Sequence, residues 1–319
     1  MEESLFVILG ATGDLVKTKI FPALNSIKNI KVVTYSRKKP DSIYPAILGD
    51  FDNLKPLQDY INKYNFKNVY VYFALPPHLY NELIELFFKS FPEINLHIAL
   101  EKPFGSSHNE AKEISDTIEK HGEENFYLVD HYNAKKSILD FTKNRNKILN
   151  KKIKSVEIAI LETERLEKRG AFFDKVGIVK DTVQNHMLLI AQKILDKKID
   201  IHNFKLAPET VVLDQFEGYK NIEGVHPESK THTYFKASFV HEDIEFNLIS
   251  AKAQSKNKKY VKINYIDETS HLIEINENSN LSKLPHEHII EDFVSNHKDL
   301  SIKVEDALAQ WRIIEQLEI

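Results

Sequence analysis

Leu5-Phe-Val-Ile-Leu9-Gly10-Ala11-Thr12-Gly13-Asp14-Leu15 runs from an apolar stretch through a glycine turn into a helical pattern. Val16, Ile20, Ala23, Leu24 and Ile27 then recur at three- and four-residue spacing, which predicts a helix. Strand, glycine turn and helix form the setting in which such a turn binds a dinucleotide. Glycines let the backbone approach a pyrophosphate, and the helix amino terminus offers unpaired N–H groups. Only Gly10 and Gly13 of the G-x-G-x-x-G pattern are present, and an ordinary structural turn fits these residues equally well. The choice between the two rests on the pattern of residues 31–130.

That region alternates. Lys31–Tyr35, Val69–Ala74, Leu96–Leu100 and Phe126–Val129 read as strands. Leu79, Leu83, Leu86 and Phe87 mark one helix between them, and Ser107 with Glu110 marks the capped start of another. Alternation with short connections predicts a Rossmann-like, doubly wound parallel sheet over residues 1–130. Ser36 and Arg37 follow the second strand, where an acid would bind the ribose hydroxyls of NAD. A guanidinium there suits a 2′-phosphate instead, so NADP is the expected coenzyme with NAD as the second choice, although a solvated basic loop reads the same way.

After residue 130 the texture changes. Ser155–Glu162, Val211–Phe216, Thr231–Val240, Glu245–Ile249, Tyr260–Ile266 and His271–Ile275 are strand candidates with few helices between them. Residues 131–319 are therefore expected to form an α+β domain with a mainly antiparallel sheet, helices over Asp181–Leu195 and Val304–Leu317, and one solvated face.

The 319 residues are 42% hydrophobic and 28% charged, a globular composition with room for one large or two ordinary domains. A net charge of −4 argues against a general polyanion surface, so no nucleic-acid function is expected, and the short lysine runs read as solvated faces. There is no cysteine, which excludes disulfides, thiol catalysis and thiolate metal sites. No metal site is expected. Nothing resembles a signal peptide or a bilayer-spanning run, so a cytoplasmic location is expected.

Two clusters carry chemistry. Phe126–Lys135 is an apolar strand ending in Asp130, His131, Tyr132 and Lys135, and the carboxyl edge of an open sheet is where α/β folds hold ligands. Gly170–His186 carries Asp181 and His186. Asp181 is placed to cap a helix, and His186 is either a functional imidazole or one packed in an interface.

Taken together, these residues resemble the glucose-6-phosphate dehydrogenase family. In the family's order come Gly10-Ala-Thr-Gly-Asp-Leu15, Gly49-Asp-Phe-Asp52, Ala74-Leu-Pro-Pro77, Glu101-Lys-Pro-Phe-Gly105, Asp130-His-Tyr-x-x-Lys135, Glu162, the Asp181–His186 segment, Val211-Val-Leu-x-Gln-Phe216 and Asp306–Ile314. The chain is markedly shorter than family members usually are, and Ile249-Ser-Ala-Lys252 stands where the family has R-T-G-K. The resemblance implies oxidation of a sugar 6-phosphate at its anomeric carbon.

It also implies roles. His186 would be the base, histidine being the residue type whose reference pKa of about 6.5 leaves a neutral fraction at cellular pH, and Asp130 would orient it. His131, Tyr132, Lys135 and Lys252 would take the phosphate, which carries about −1.5 to −2 charges. Glu162 and Asp181 would accept bonds from sugar hydroxyls. Lys102 would lie between coenzyme and substrate, with Lys19 near the substrate. The coenzyme would touch Gly10, Thr12, Gly13, Asp14, Leu15, Ser36, Arg37, Ala74, Leu75, Pro76 and Lys102. A homodimer through the C-terminal sheet is a further implication. A dehydrogenase of another sugar phosphate and a non-catalytic NADP-binding regulator remain open alternatives at this point.

Overall fold

The computed structural model describes residues 4–24, 27–28, 30–166, 169–196, 199, 202–275 and 283–317. The chain begins with β1 (Ser4–Leu9), a π-helical run over Val16–Ile20 that continues into α1 (Phe21–Ala23), β2 (Ile30–Ser36) and β3 (Ala46–Leu48). Then come α2 (Lys55–Tyr64), β4 (Asn68–Phe73), α3 (Tyr80–Ser90), β5 (Asn95–Glu101), α4 (His108–His121) and β6 (Phe126–Val129). The later elements are α5 (Lys136–Ile148), β7 (Ile153–Leu161), α6 (Gly170–Ile178), a π-helical run over Val179–Met187, α7 (Leu188–Leu195) and β8 (Lys205–Asp214). β9 (Tyr234–His241), β10 (Ile244–Ala251), β11 (Lys258–Tyr265), β12 (Ser270–Glu274), α8 (Pro285–Val294) and α9 (Val304–Glu315) complete the order.

Two compact units result: Met1–Ala134 with Lys283–Val304, and Lys135–Ser282 with Glu305–Ile319. The sequence suggests one cut after residue 130. The later segment instead joins the first unit, because α8 packs on the first sheet. Ile289, Ile290 and Phe293 are buried in one core with Phe6, Tyr70 and Tyr127.

In the first unit the sheet order is β3-β2-β1-β4-β5-β6, with each neighbouring pair parallel. β1 is central, Phe6 lying opposite Val32 on one side and Tyr70 on the other. Leu5 to Leu9 are fully buried, as a strand covered on both faces must be. The order reverses between β1 and β4, which opens a crevice outside their carboxyl ends. β6 would be an open edge, but the returning segment covers it. Ile302 bridges Leu128, and the Leu128 amide donates to Ser301 Oγ at 3.0 Å. The Ser107–Glu110 signal is realised with a shift. Ser107 Oγ accepts the Glu110 amide at 3.3 Å, while the Glu110 carboxylate returns to the Ser106 amide at 2.7 Å.

The second unit holds a sheet of order β12-β11-β7-β10-β9-β8. Neighbours are antiparallel except β7 and β10, which run parallel. One face is inward: Phe235, Ala237, Phe239 and His241 of β9 are buried while Lys236 and Val240 are exposed. Phe204 stacks on Phe239 with centroids 5.0 Å apart. The expected helix start at Asp181 is corrected. Helix begins at Gly170 and kinks at Gly177, whose φ of +69° suits glycine. Asp181 then lies in the first turn of the run from Val179, where the helix dipole still favours a carboxylate. Among the described residues, no helix is long and apolar enough to cross a membrane.

Candidate active site

In the first unit, the glycine turn stands at the β1/β4 reversal. Gly10 has φ +74°, and a Cβ there would lie 2.2 Å from the Ala74 carbonyl oxygen. The Ala74 amide donates to Leu9 O at 3.3 Å, and the Gly13 amide donates to Gly10 O at 2.9 Å. Gly10 and the Ala74-Leu75-Pro76 segment are thus brought together, with Thr12, Gly13 and Asp14 exposed beside them and Leu15 half-buried. That is a backbone cradle of the kind a pyrophosphate needs. Ser36 ends β2, buried, its hydroxyl donating to Lys38 O at 2.7 Å, and Arg37 next to it is exposed. The Gly49–Asp52 element braces this strand end. The Tyr35 hydroxyl donates to Asp50 O at 2.9 Å and Asn53 O at 2.7 Å. Burial first, then Asp50 and Asp52, push its pKa up to about 12.

Further along the same edge, β5 delivers Glu101 and Lys102, the latter half-buried before a cis bond to Pro103. The Glu101 carboxylate accepts from Tyr72 Oη, and its carbonyl accepts from Tyr80 Oη at 2.9 Å. β6 delivers Asp130, which is fully buried. One of its carboxylate oxygens accepts the Tyr132 amide at 2.9 Å, and its carbonyl accepts the Asn133 amide at 3.0 Å. These bonds fix the turn that carries His131 and Tyr132. His286 of α8 stacks on His131 at 5.7 Å, and its Nε2 is 3.7 Å from Glu101 Oε1. Lys19 lies exposed on the first π-helical run.

In the second unit, Lys135 is buried at the cap of α5. The run Val179–Met187 is π-helical, and i→i+5 pairing turns residues five apart, such as Asp181 and His186, toward one face. In an α-helix they would be about 140° apart. Asn185 fastens the widened turn, donating to Lys180 O at 2.9 Å and accepting the His186 amide at 2.6 Å. His186 itself is 5% exposed.

Asp181 enters a cluster with Glu162 and Lys252. Lys252 Nζ lies 2.6 Å from Glu162, 3.1 Å from Glu164 and 3.2 Å from Asp181. Lys259 Nζ holds the other Glu162 oxygen at 2.7 Å, and Arg169 lies 3.4 Å from Asp181 and 3.6 Å from Glu164. The backbone delivers this geometry. The amides of Glu162, Ala253 and Gln254 donate to Ala251 O, Glu164 O and Glu162 O, each at 2.9 Å, so the two chain segments run side by side. Burial alone would raise the Glu162 pKa, but Lys252 and then Lys259 outweigh it and hold it below the ordinary value. Burial would likewise lower the Lys252 pKa, but Asp181 and Glu162 raise it.

Sequence reasoning missed Glu164, Arg169, Lys259 and His286. Lys259 had a signal, since it is in phase with the buried Val261 and Ile263 of β11. So did α8, whose Leu284-Pro-His-Glu287 start places Pro285 in the first turn and a Glu287 carboxylate 3.1 Å from the Leu284 amide.

Comparisons with known proteins bear on the two sheets and their order along the chain. The family model for "Glucose-6-phosphate dehydrogenase, NAD binding domain" matches residues 45–140, and that for its C-terminal domain matches residues 143–211. A glucose-6-phosphate 1-dehydrogenase of Helicobacter pylori (strain J99) is 28% identical over 319 residues, covering 81% of this chain and 75% of that protein. A solved glucose-6-phosphate dehydrogenase in complex with its substrate glucose-6-phosphate superposes with a TM-score of 0.85. It is 19% identical, and the overlap covers 99% of this chain and 91% of that one. The glucose-6-phosphate 1-dehydrogenase of Mycobacterium avium gives 0.79 at 18% identity, over 98% and 91% of the two chains. These two likenesses speak for the fold. With the family's N- and C-terminal models both matched on the architecture described above, the chain belongs to the glucose-6-phosphate dehydrogenase family.

Proposed function

We propose that this chain oxidises glucose 6-phosphate at C1 to 6-phosphogluconolactone, with NADP as the hydride acceptor. The observation that carries the reading is the π-helical run Val179–Met187. It holds a buried imidazole, His186, and at the same time commits Asp181 to a polar cluster. In this reading His186 takes the proton of the C1 hydroxyl while hydride leaves the same carbon. Asp130 orients that imidazole and stabilises its protonated form. His131, Tyr132 and Lys135 bind the phosphate, whose charge of about −2 suits a buried ammonium. Glu162 and Asp181 accept hydrogen bonds from sugar hydroxyls.

The glycine turn at the strand-order reversal suits a pyrophosphate, and Gly10 lets it pack against Ala74, whose carbonyl oxygen any side chain there would strike. Gly13, Thr12, Asp14, Leu15, Leu75 and Pro76 would line the bound coenzyme, with Lys102 between it and the sugar. Arg37 and Ser36 support NADP over NAD, a guanidinium being suited to a ribose phosphate. When bound, the nicotinamide supplies the hydride acceptor. A cytoplasmic location and a homodimer through the second sheet belong to the same reading, and sedimentation of the purified chain tests the second. The function is tested by reduced-coenzyme formation with glucose 6-phosphate, with NADP and NAD in parallel. Faster reduction of NADP is expected. Turnover of unphosphorylated glucose at the same rate would contradict the phosphate assignment.

A further inference from the structure

Glu162 is the carboxylate that the proposed function uses to read a sugar hydroxyl, and both its oxygens are gripped. Lys252 Nζ takes Oε2 at 2.6 Å and Lys259 Nζ takes Oε1 at 2.7 Å. The two lysines come from different places. Lys252 follows β10, its amide donating to Thr233 O at 3.0 Å. Lys259 lies in β11 opposite Ile160 of β7, the strand that leads into Glu162. Neither is a surface cation, the side chains being 2% and 8% exposed.

A glutamate carboxylate rotates in a broad, roughly two-fold torsional well, so one ion pair leaves its plane loose. A second cation on the other oxygen fixes it. An ionised carboxylate has about four acceptor sites, so two lysine bonds leave others at defined directions. A methionine at position 259 would keep the inward apolar phase of β11 without the cost of desolvating an ammonium.

We propose that Lys259 is a positioning residue, which holds the Glu162 carboxylate so that it reads one hydroxyl of the sugar. The inference rests on the sugar-phosphate function proposed above. Its test is steady-state kinetics of wild type, K259M, K259R and E162Q. The substrates are glucose 6-phosphate and a set of hexose 6-phosphates that each lack or invert one hydroxyl. Wild type discriminates against at least one of these by about 100-fold in kcat/KM, the order expected when one hydrogen bond to a charged group is lost. K259M reduces that one discrimination by about tenfold, through KM for glucose 6-phosphate, with kcat nearly kept. K259R restores it. E162Q removes the same discrimination, and adding K259M to E162Q changes it no further.

An equal fall in kcat/KM for every sugar in K259M would make Lys259 merely structural and overturn the inference. So would unchanged discrimination in K259M, or, should that variant not fold, loss of discrimination in a folded K259R. A wild type that reduces coenzyme with none of these sugars would overturn the function itself, and the inference with it.

Discussion

A methyl group on Gly10 would meet the Ala74 carbonyl oxygen at 2.2 Å, at a φ of +74° that side chains rarely adopt. Gly10→Ala is therefore expected to cost about 1–3 kcal/mol of unfolding free energy from the backbone alone. It should also weaken coenzyme binding, because relieving that collision moves the glycine turn away from the Ala74-Leu75-Pro76 segment. Denaturant titration with a coenzyme Kd checks both, and wild-type values for the pair would contradict the placement. Glu162 gives a pH dependence. Burial opposes its charge, but Lys252 and Lys259 hold its folded pKa below the ordinary 4.5. A depressed carboxylate contributes stability that is complete above the unfolded pKa and lost as pH falls through the folded one. The gap in unfolding free energy between wild type and E162Q should thus be flat from neutrality to about pH 5 and close below it. A gap that widens on acidification would contradict the network. Gly10 is legible in the sequence because a turn is local. The partners of Lys252 are not, because residues 162 and 164 arrive through backbone pairing and residue 181 from a helical run packed beside them.

Elements with a strong period can be read directly, and those stabilised by distant packing cannot. β1, β4, β5 and β6 announce themselves as apolar runs, and the inward phase of β9 is plain in its alternation. β3 spans only Ala46–Leu48, too short for a period, and exists because it pairs with β2. The π-helical run from Val179 to Met187 reads as ordinary helix in the sequence, since its widening depends on bonds such as those of Asn185. α8 is the consequential omission. Phe293 lies edge-on to Phe6 and Tyr70, at 6.2 and 5.4 Å, and 5.4 Å from Tyr127. Phe293→Ala should cost about 3–5 kcal/mol, as large-to-small changes in such cores do. Thermal melts in the presence and absence of coenzyme would detect it. A loss under about 0.5 kcal/mol, the range of surface changes, would mean that α8 does not build this core.

At the scale of the molecule, the chain divides its tasks. The first unit presents a parallel sheet in the order β3-β2-β1-β4-β5-β6 with a glycine cradle at its reversal. The second presents a mixed sheet whose polar cluster balances Lys252, Lys259 and Arg169 against Glu162, Glu164 and Asp181. Such a balance suits hydroxyl groups better than a phosphate, which gives Lys135, buried at the head of α5, the larger electrostatic part in the proposed function. A net charge of −4 is compatible with this, because the cations that matter are local. The two-unit plan is visible in the sequence, whereas the return of Lys283–Val304 to the first unit is not, since no composition change marks it. The most direct test of the central claim is NADP reduction by glucose 6-phosphate, measured for wild type and His186→Asn. Wild type should turn over, and the variant should lose roughly 10²–10⁴ in kcat with KM little changed. An inactive wild type, or a variant that matches it, would contradict the account.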